Sequence, residues 1–215
     1  ADGRLAAVGV AVGFGVQVAG TSVDFTPGRL ESTGGRLHLA IVGDGYFQVE
    51  DGSQIVYTRC GAFARNADGQ LVLSSADRGR AIEPAVVIPA DATEIAISNA
   101  GIVTVQQPGS SNAVQVGQIQ LARFVNSGGL IPLGENLFEA SDASGAATVG
   151  IPGQLGLGTL RQGYLETSNV DLEEELAEAR RLQSRLQALE QARAILDSSI
   201  PASAPTARIA ETPPR

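Results

Sequence analysis

The sequence predicts a mainly β protein: an antiparallel meander or barrel-like β-domain followed by one long C-terminal α-helix. Three observations carry this expectation. Apolar residues alternate with period two in short runs before Gly158, turn dipeptides such as Asp51-Gly52 separate those runs, and after Ser168 leucines recur at helical spacing. With 26 Gly, 4% aromatic residues and no Trp or Met, the composition favours a turn-rich fold over a helical bundle.

The first candidate element lies between Leu5 and Val23, a stretch without charge. Its length would reach across a bilayer, but Val8, Val10, Val12, Phe14, Val16 and Val18 occupy even positions, with Gly or other small or polar residues between them. That is a strand with one large-residue face, and its four glycines would make a poor spanning helix. From Phe25 to about Gly158, Asp44-Gly45, Asp51-Gly52 and Asp68-Gly69 mark expected hairpins. Expected strands run over 37–42, 46–49, 54–59, 85–88, 94–98, 102–106 and 115–125, and residues 62–73 read as a strand, a tight turn and a return strand. Turns at Asn99-Ala100-Gly101 and 108–112 separate the later ones.

At Ser168 the pattern changes. Ser168-Asn169-Val170-Asp171 reads as a capping box, and Asp171, Glu173, Glu174 and Glu175 place negative charge where a helix N-terminus favours it. Leu172, Ala179, Leu182, Leu186, Leu189 and Leu196 fall on a/d-type positions, with Leu176 beside them. A helix reaching Ser198 would extend roughly 42 Å, long for a globular protein, and its stripe calls for a partner along its length. Pro201, Pro205, Pro213 and Pro214 then stop the helix, and a disordered tail is expected. The organisation expected is an N-terminal β segment over 1–24, a β-rich core over 25–163, a helical segment over 164–200 and a Pro-rich tail over 201–215. The opening Ala1-Asp2-Gly3 lacks an initiator Met, as expected of a processed form or a fragment.

Composition narrows the chemistry. The 15 basic residues are all Arg, so Schiff-base and phosphate-loop lysines are excluded. One His and one Cys cannot build a Cys/His zinc site within the chain, and no disulfide framework is possible. A net charge of −8 with scattered Arg argues against nucleic acid as a partner. The motifs Gly13-Phe14-Gly15 and Gly156-Leu157-Gly158 each lack the third glycine of a dinucleotide loop. Asp44 and Asp51 precede glycines, where Asp serves turn conformation instead of acid catalysis. His38 alternates with Leu37 and Leu39 and reads as a solvated strand residue, and Cys60 follows Val56 and Thr58 as a small, half-buried one. No catalytic, cofactor or metal site emerges, and the chain is not expected to be an enzyme.

The segment from Phe25 to Phe47, through Gly28-Arg29-Leu30, Thr33-Gly34, Leu37-His38-Leu39-Ala40-Ile41 and Gly43-Asp44-Gly45, resembles one shared by bacterial flagellar rod and hook proteins. There it runs F-x-x-G-x-L-x-x-T-G-x-x-L-D-L-A-I-x-G-x-G-F-F. The likeness continues through 56–63 and Asp68-Gly69-Gln70-Leu71-Val72. Gly117 to Ala122, Gly134-Glu135-Asn136-Leu137-Phe138 and Leu160 to Asp171 look most like the distal rod members. It covers roughly 16–176. His38 and Cys60 stand where the family usually has Asp, Gln183 to Gln187 depart from its usual C-terminal segment, and its N-terminal helical segment has no counterpart here.

The resemblance implies a mechanical role: a subunit exported by the flagellar type III apparatus that polymerises into the periplasmic drive shaft of the basal body. Proximal rod or hook subunits are the alternatives within the family, and a β-rich ligand-binding module the alternative outside it. Implied partners are copies of the chain, other rod or hook subunits and surrounding ring proteins, with no cofactor and no membrane insertion. The implied assembly helix presents Leu172, Leu176, Ala179, Leu182, Leu186, Leu189 and Leu196. Without the N-terminal helix, the chain alone is expected to stay monomeric or weakly self-associated.

Overall fold

The computed structural model describes residues 23–74, 79–109 and 112–199. The expected strand over 8–18 and the expected tail beyond 200 lie outside the described residues. The chain divides into a β unit ending at Thr167 and a helical unit beginning at Ser168.

In chain order the strands are β1 (Leu30–Ser32), β2 (Leu39–Val42), β3 (Tyr46–Asp51), β4 (Gln54–Thr58), β5 (Phe63–Arg65), β6 (Leu71–Leu73), β7 (Arg80–Glu83) and β8 (Glu94–Ile97). The second half adds β9 (Ile102–Gln106), β10 (Val114–Gln118), β11 (Leu121–Arg123), β12 (Ile131–Gly134), β13 (Leu137–Glu139), β14 (Thr148–Gly150), β15 (Thr159–Gln162) and β16 (Tyr164–Glu166). One helix follows, α1 (Leu172–Ser199). Every strand pair is antiparallel.

The largest sheet runs β12-β13-β4-β3-β7-β6-β5, with β11 and β14 attached through β3. A second sheet is β10-β9-β8, and the two remaining pairs are β15 with β2 and β16 with β1. The first strands thus pair with the last in nested order. Among the described residues the sheets are open and none closes into a barrel, so the meander half of the expected fold class describes them.

Local turn chemistry makes the hairpins. Gly52, at φ +68, lets β3 return as β4 with Asp51 opposite Gln54. Between β5 and β6, Asn66 Oδ1 accepts the N–H groups of Asp68 and Gln70. Glu135 and Asn136 both take positive φ, 52° and 61°, the two-residue turn whose twist suits the β12–β13 hairpin. Asp44-Gly45 departs from expectation: β2 and β3 belong to different sheets, so the dipeptide turns a corner. Gly43 and Gly45 have φ of 107° and 138°, and a Cβ on Gly43 would stand 3.1 Å from the Gly158 Cα. That corner needs glycine because another backbone passes against it.

The strand expected over 115–125 is also two strands, in different sheets. They part at Ile119, whose side chain is fully buried and whose N–H donates to the Gly101 carbonyl at 2.8 Å. Residues 85–88 do not form a strand. Val86 and Ile88 are buried as alternation requires, but the backbone makes only an isolated bridge between Val87 and Gln70.

The base of the β3–β4 hairpin, residues 46–49 and 56–58, is buried on both faces, which separates two cores. Phe47, Val49 and Val56 face a main cluster with Leu39, Ile41, Leu71 and Leu121. Tyr46 and Tyr57, one position out of phase, face a smaller cluster with Phe124 and Leu130. Phe47 meets Phe63 edge-on at 5.0 Å between centroids, and Tyr57 meets Phe124 at 4.7 Å. Each such pair contributes about 0.5–1.5 kcal/mol beyond area burial, so few aromatics go far here.

Candidate assembly surface

Helix α1 starts where the sequence changes character, but its cap differs from the expected capping box. Asp171 is the capping residue: its Oδ1 accepts the N–H groups of Glu173 at 3.0 Å and Glu174 at 3.4 Å. Ser168 makes its own local turn, its Oγ accepting the Val170 N–H. The first full helical bond runs from Glu175 N–H to the Asp171 carbonyl. Glu173, Glu174 and Glu175 in the first turn complement the positive end of the helix dipole.

The expected stripe lies on this one helix. Leu172, Leu176, Leu182, Leu186, Leu189 and Leu196 are between 47% and 69% exposed, and Ala179 is exposed with them. Ile195, outside the stripe, is 67% exposed. Leucines at this spacing gain free energy only when covered, roughly 1.5–3 kcal/mol each. Covered by another apolar face, these side chains would gain that free energy. No helix among the described residues is long and apolar enough to cross a membrane.

Within the β unit two arginines tie distant segments together. Arg59 Nε donates to Glu166 Oε2 at 2.9 Å, and its Nη1 donates to the carbonyls of Gly43 and Gly45. Arg80 joins Asp51 at 3.2 Å to Glu135 at 2.9 Å, holding the β3–β4 and β12–β13 turns together. His38 Nδ1 lies 2.7 Å from Thr33 Oγ1, and a Cβ on Gly35 would overlap the His38 ring. Cys60 is half-buried against the main core, and its N–H donates to Thr58 Oγ1. Among the described residues, no group of three His, Cys, Asp or Glu side chains comes together as metal ligands would. Gly156 and Gly158 lie in the loop before β15, where the Gly158 N–H donates to the Asp44 carbonyl.

Residues that the sequence reading did not single out hold the unit's ends. Arg59 and Glu166 carry no local signal of their partnership, since they are 107 residues apart.

A family model described as the flagellar hook protein FlgE/F/G D1 domain matches residues 40–105. These residues run from β2 to β9. The flagellar basal-body rod protein FlgG of Agrobacterium fabrum is 43% identical over 172 residues, covering 79% of this chain and 64% of that protein. The chain belongs to the flagellar rod and hook protein family. The corresponding rod protein of Caulobacter vibrioides is 42% identical over 176 residues, covering 81% of this chain and 66% of that one. The flagellar hook protein FlgE of Salmonella typhimurium matches at 42% over 88 residues, 41% of this chain. This rod and hook family member thus spans just under two thirds of the length of these two rod relatives. Its likeness to them runs over about twice as much of the chain as its likeness to the hook protein.

Proposed function

We propose that this chain is a structural subunit of the bacterial flagellar basal-body rod, most closely a distal rod subunit. It is exported by the flagellar type III apparatus and polymerises with copies of itself and other rod or hook subunits into the torque-transmitting shaft across the periplasm. The role is mechanical, not catalytic, and it serves motility. The observation that carries this reading is the 42–43% identity to basal-body rod proteins over about four fifths of the chain.

The physical properties of the β unit suit such a role. A shaft under torque must not shear, and strands paired first-with-last put backbone hydrogen bonds across the whole unit. In this reading the assembly surface is α1, with Leu172, Leu176, Ala179, Leu182, Leu186, Leu189 and Leu196 buried against a neighbouring helix in the assembled shaft. Their present exposure and their heptad spacing support it.

The test is to purify basal bodies from a strain expressing an epitope-tagged full chain and to locate the tag by immuno-electron microscopy. Label on the rod is expected. Its absence from rods that are otherwise complete would refute the proposal, and label confined to the hook would transfer the chain to the hook branch.

A further inference from the structure

We propose that, off the rod, α1 pairs with α1 of a second copy of this chain as an antiparallel two-stranded coil, with Glu175 of each chain facing Arg193 of the other. The proposal rests on the reading of α1 as an assembly surface and deepens it.

The helix has 28 residues, enough for four heptads. Setting Leu172 at position a places Ala179, Leu186 and Arg193 at a, and Glu175, Leu182, Leu189 and Leu196 at d. Leu176, at e, widens the seam. Two charged residues therefore interrupt an otherwise apolar seam, one acidic near the start and one basic near the end. Their signs and places distinguish the two orientations.

In a parallel, in-register pair each a residue meets its own copy, and so does each d residue. Glu175 would face Glu175, and Arg193 would face Arg193, two like-charge layers in the seam. In an antiparallel pair each a residue meets a d residue. A single register then satisfies every layer: Leu172 with Leu196, Ala179 with Leu189, Leu186 with Leu182, and Arg193 with Glu175, each occurring twice through the two-fold axis. Both interruptions become ion pairs, and every a and d leucine is covered.

The rim weighs the other way, because parallel chains would set Arg185 near Glu190, whereas antiparallel chains bring Arg185 near its own copy. Exposed pairs of that kind are screened by water and salt. Charges in the seam are partly desolvated, so the seam decides the orientation.

A two-fold pair uses one patch on both partners and closes on itself. It cannot propagate into a polar shaft, so this pairing belongs to the unassembled chain and must open before the same leucines enter a rod contact.

Sedimentation equilibrium of the full chain over a wide concentration range tests the proposal. A monomer–dimer equilibrium with no larger species is expected. Glu175→Arg should raise the dissociation constant at least about tenfold, because it creates two Arg–Arg layers, and adding Arg193→Glu should bring it back to within roughly threefold of the original. In a Cys60→Ser background and with oxidised glutathione as the oxidant, chains with Leu172→Cys should form disulfide dimers when mixed with chains carrying Leu196→Cys, and neither should do so alone. A chain that stays monomeric throughout overturns the proposal and places any cover for α1 within the chain. A Glu175→Arg chain that dimerises like the original, or a double variant that stays dissociated, overturns the register. Basal-body labelling is scored separately: a monomeric chain found in rods removes the dimer and keeps the rod reading, and a dimeric chain absent from rods does the converse.

Discussion

Arg59 and Glu166 form an ion pair at 2.9 Å that fastens the end of β4 to the last strand of the β unit, with side chains only 18% and 11% exposed. The same carboxylate accepts the Gly28 N–H through Oε1, and the same guanidinium holds the carbonyls of the Gly43-Asp44-Gly45 corner. One pair thus joins the entry of β1, the corner before β3 and the exit of β16. Glu166→Gln keeps the shape and removes the charge from a sheltered cation. We expect a loss of about 1–3 kcal/mol, read by urea titration, with little relief at high salt because the pair is sheltered. A midpoint unchanged from the original would show the pair to be ornamental.

Alkaline pH should weaken the β unit. Burial raises the Tyr46 phenol above its ordinary value, against an opposing hydrogen bond from Ser127, and burial likewise raises Tyr57. The folded chain keeps these protons where the unfolded chain has begun to release them near pH 10.0. Since the folded state then binds more protons, stability is fully present below about pH 10 and falls as pH rises toward the folded values. Thermal melts between about pH 8 and 11 should show this slope, and Tyr46→Phe should flatten part of it.

Gly61 should tolerate no side chain. An added Cβ would overlap the Leu39 carbonyl oxygen, in a place where the Leu39 N–H also donates to the Gly61 carbonyl at 3.0 Å. Gly61→Ala must push β2 away from the chain before β5, and a loss of about 3–5 kcal/mol is expected by chemical denaturation. Gly34→Ala, at φ +66 in open space, should cost only about 1–2 kcal/mol through backbone strain.

The two residues that depart from the family's usual Asp should be dispensable. The His38 ring meets the Thr33 hydroxyl at 2.7 Å, and Cys60 is a small half-buried side chain packed against the main core. His38→Asn and Cys60→Ser are each expected to shift stability by no more than about 1 kcal/mol and to leave motility near normal. A stably folded variant that abolishes motility in a swim-plate assay would reverse this expectation.

Replacing Leu182, Leu186 and Leu189 together by Gln should remove self-association while leaving the β-unit melt in place, since none of the three is less than 52% exposed. Analytical ultracentrifugation beside calorimetry separates the two effects. Loss of the β-unit transition with association intact would show that these leucines support their own chain.

The sequence by itself determined what depends on neighbours along the chain. The Asp51-Gly52 and Asp68-Gly69 hairpins form because a few adjacent residues can satisfy their own turn. The start of α1 and its charged first turn follow from one capping carboxylate and a change of apolar period. The tertiary structure decided what depends on residues far away. Whether Asp44-Gly45 made a hairpin or a corner depended on Gly158 lying against Gly43, more than a hundred positions on. Whether 115–125 was one strand or two depended on the Gly101 carbonyl receiving the Ile119 N–H. β7 went unanticipated because Arg80-Ala81-Ile82-Glu83 has a single large apolar residue, and it becomes a strand only between β3 and β6. The union of Arg59 with Glu166 is of the same kind: charge type is written in the chain, but distance in space is set by the nested pairing of β1 with β16 and β2 with β15, which no local propensity encodes.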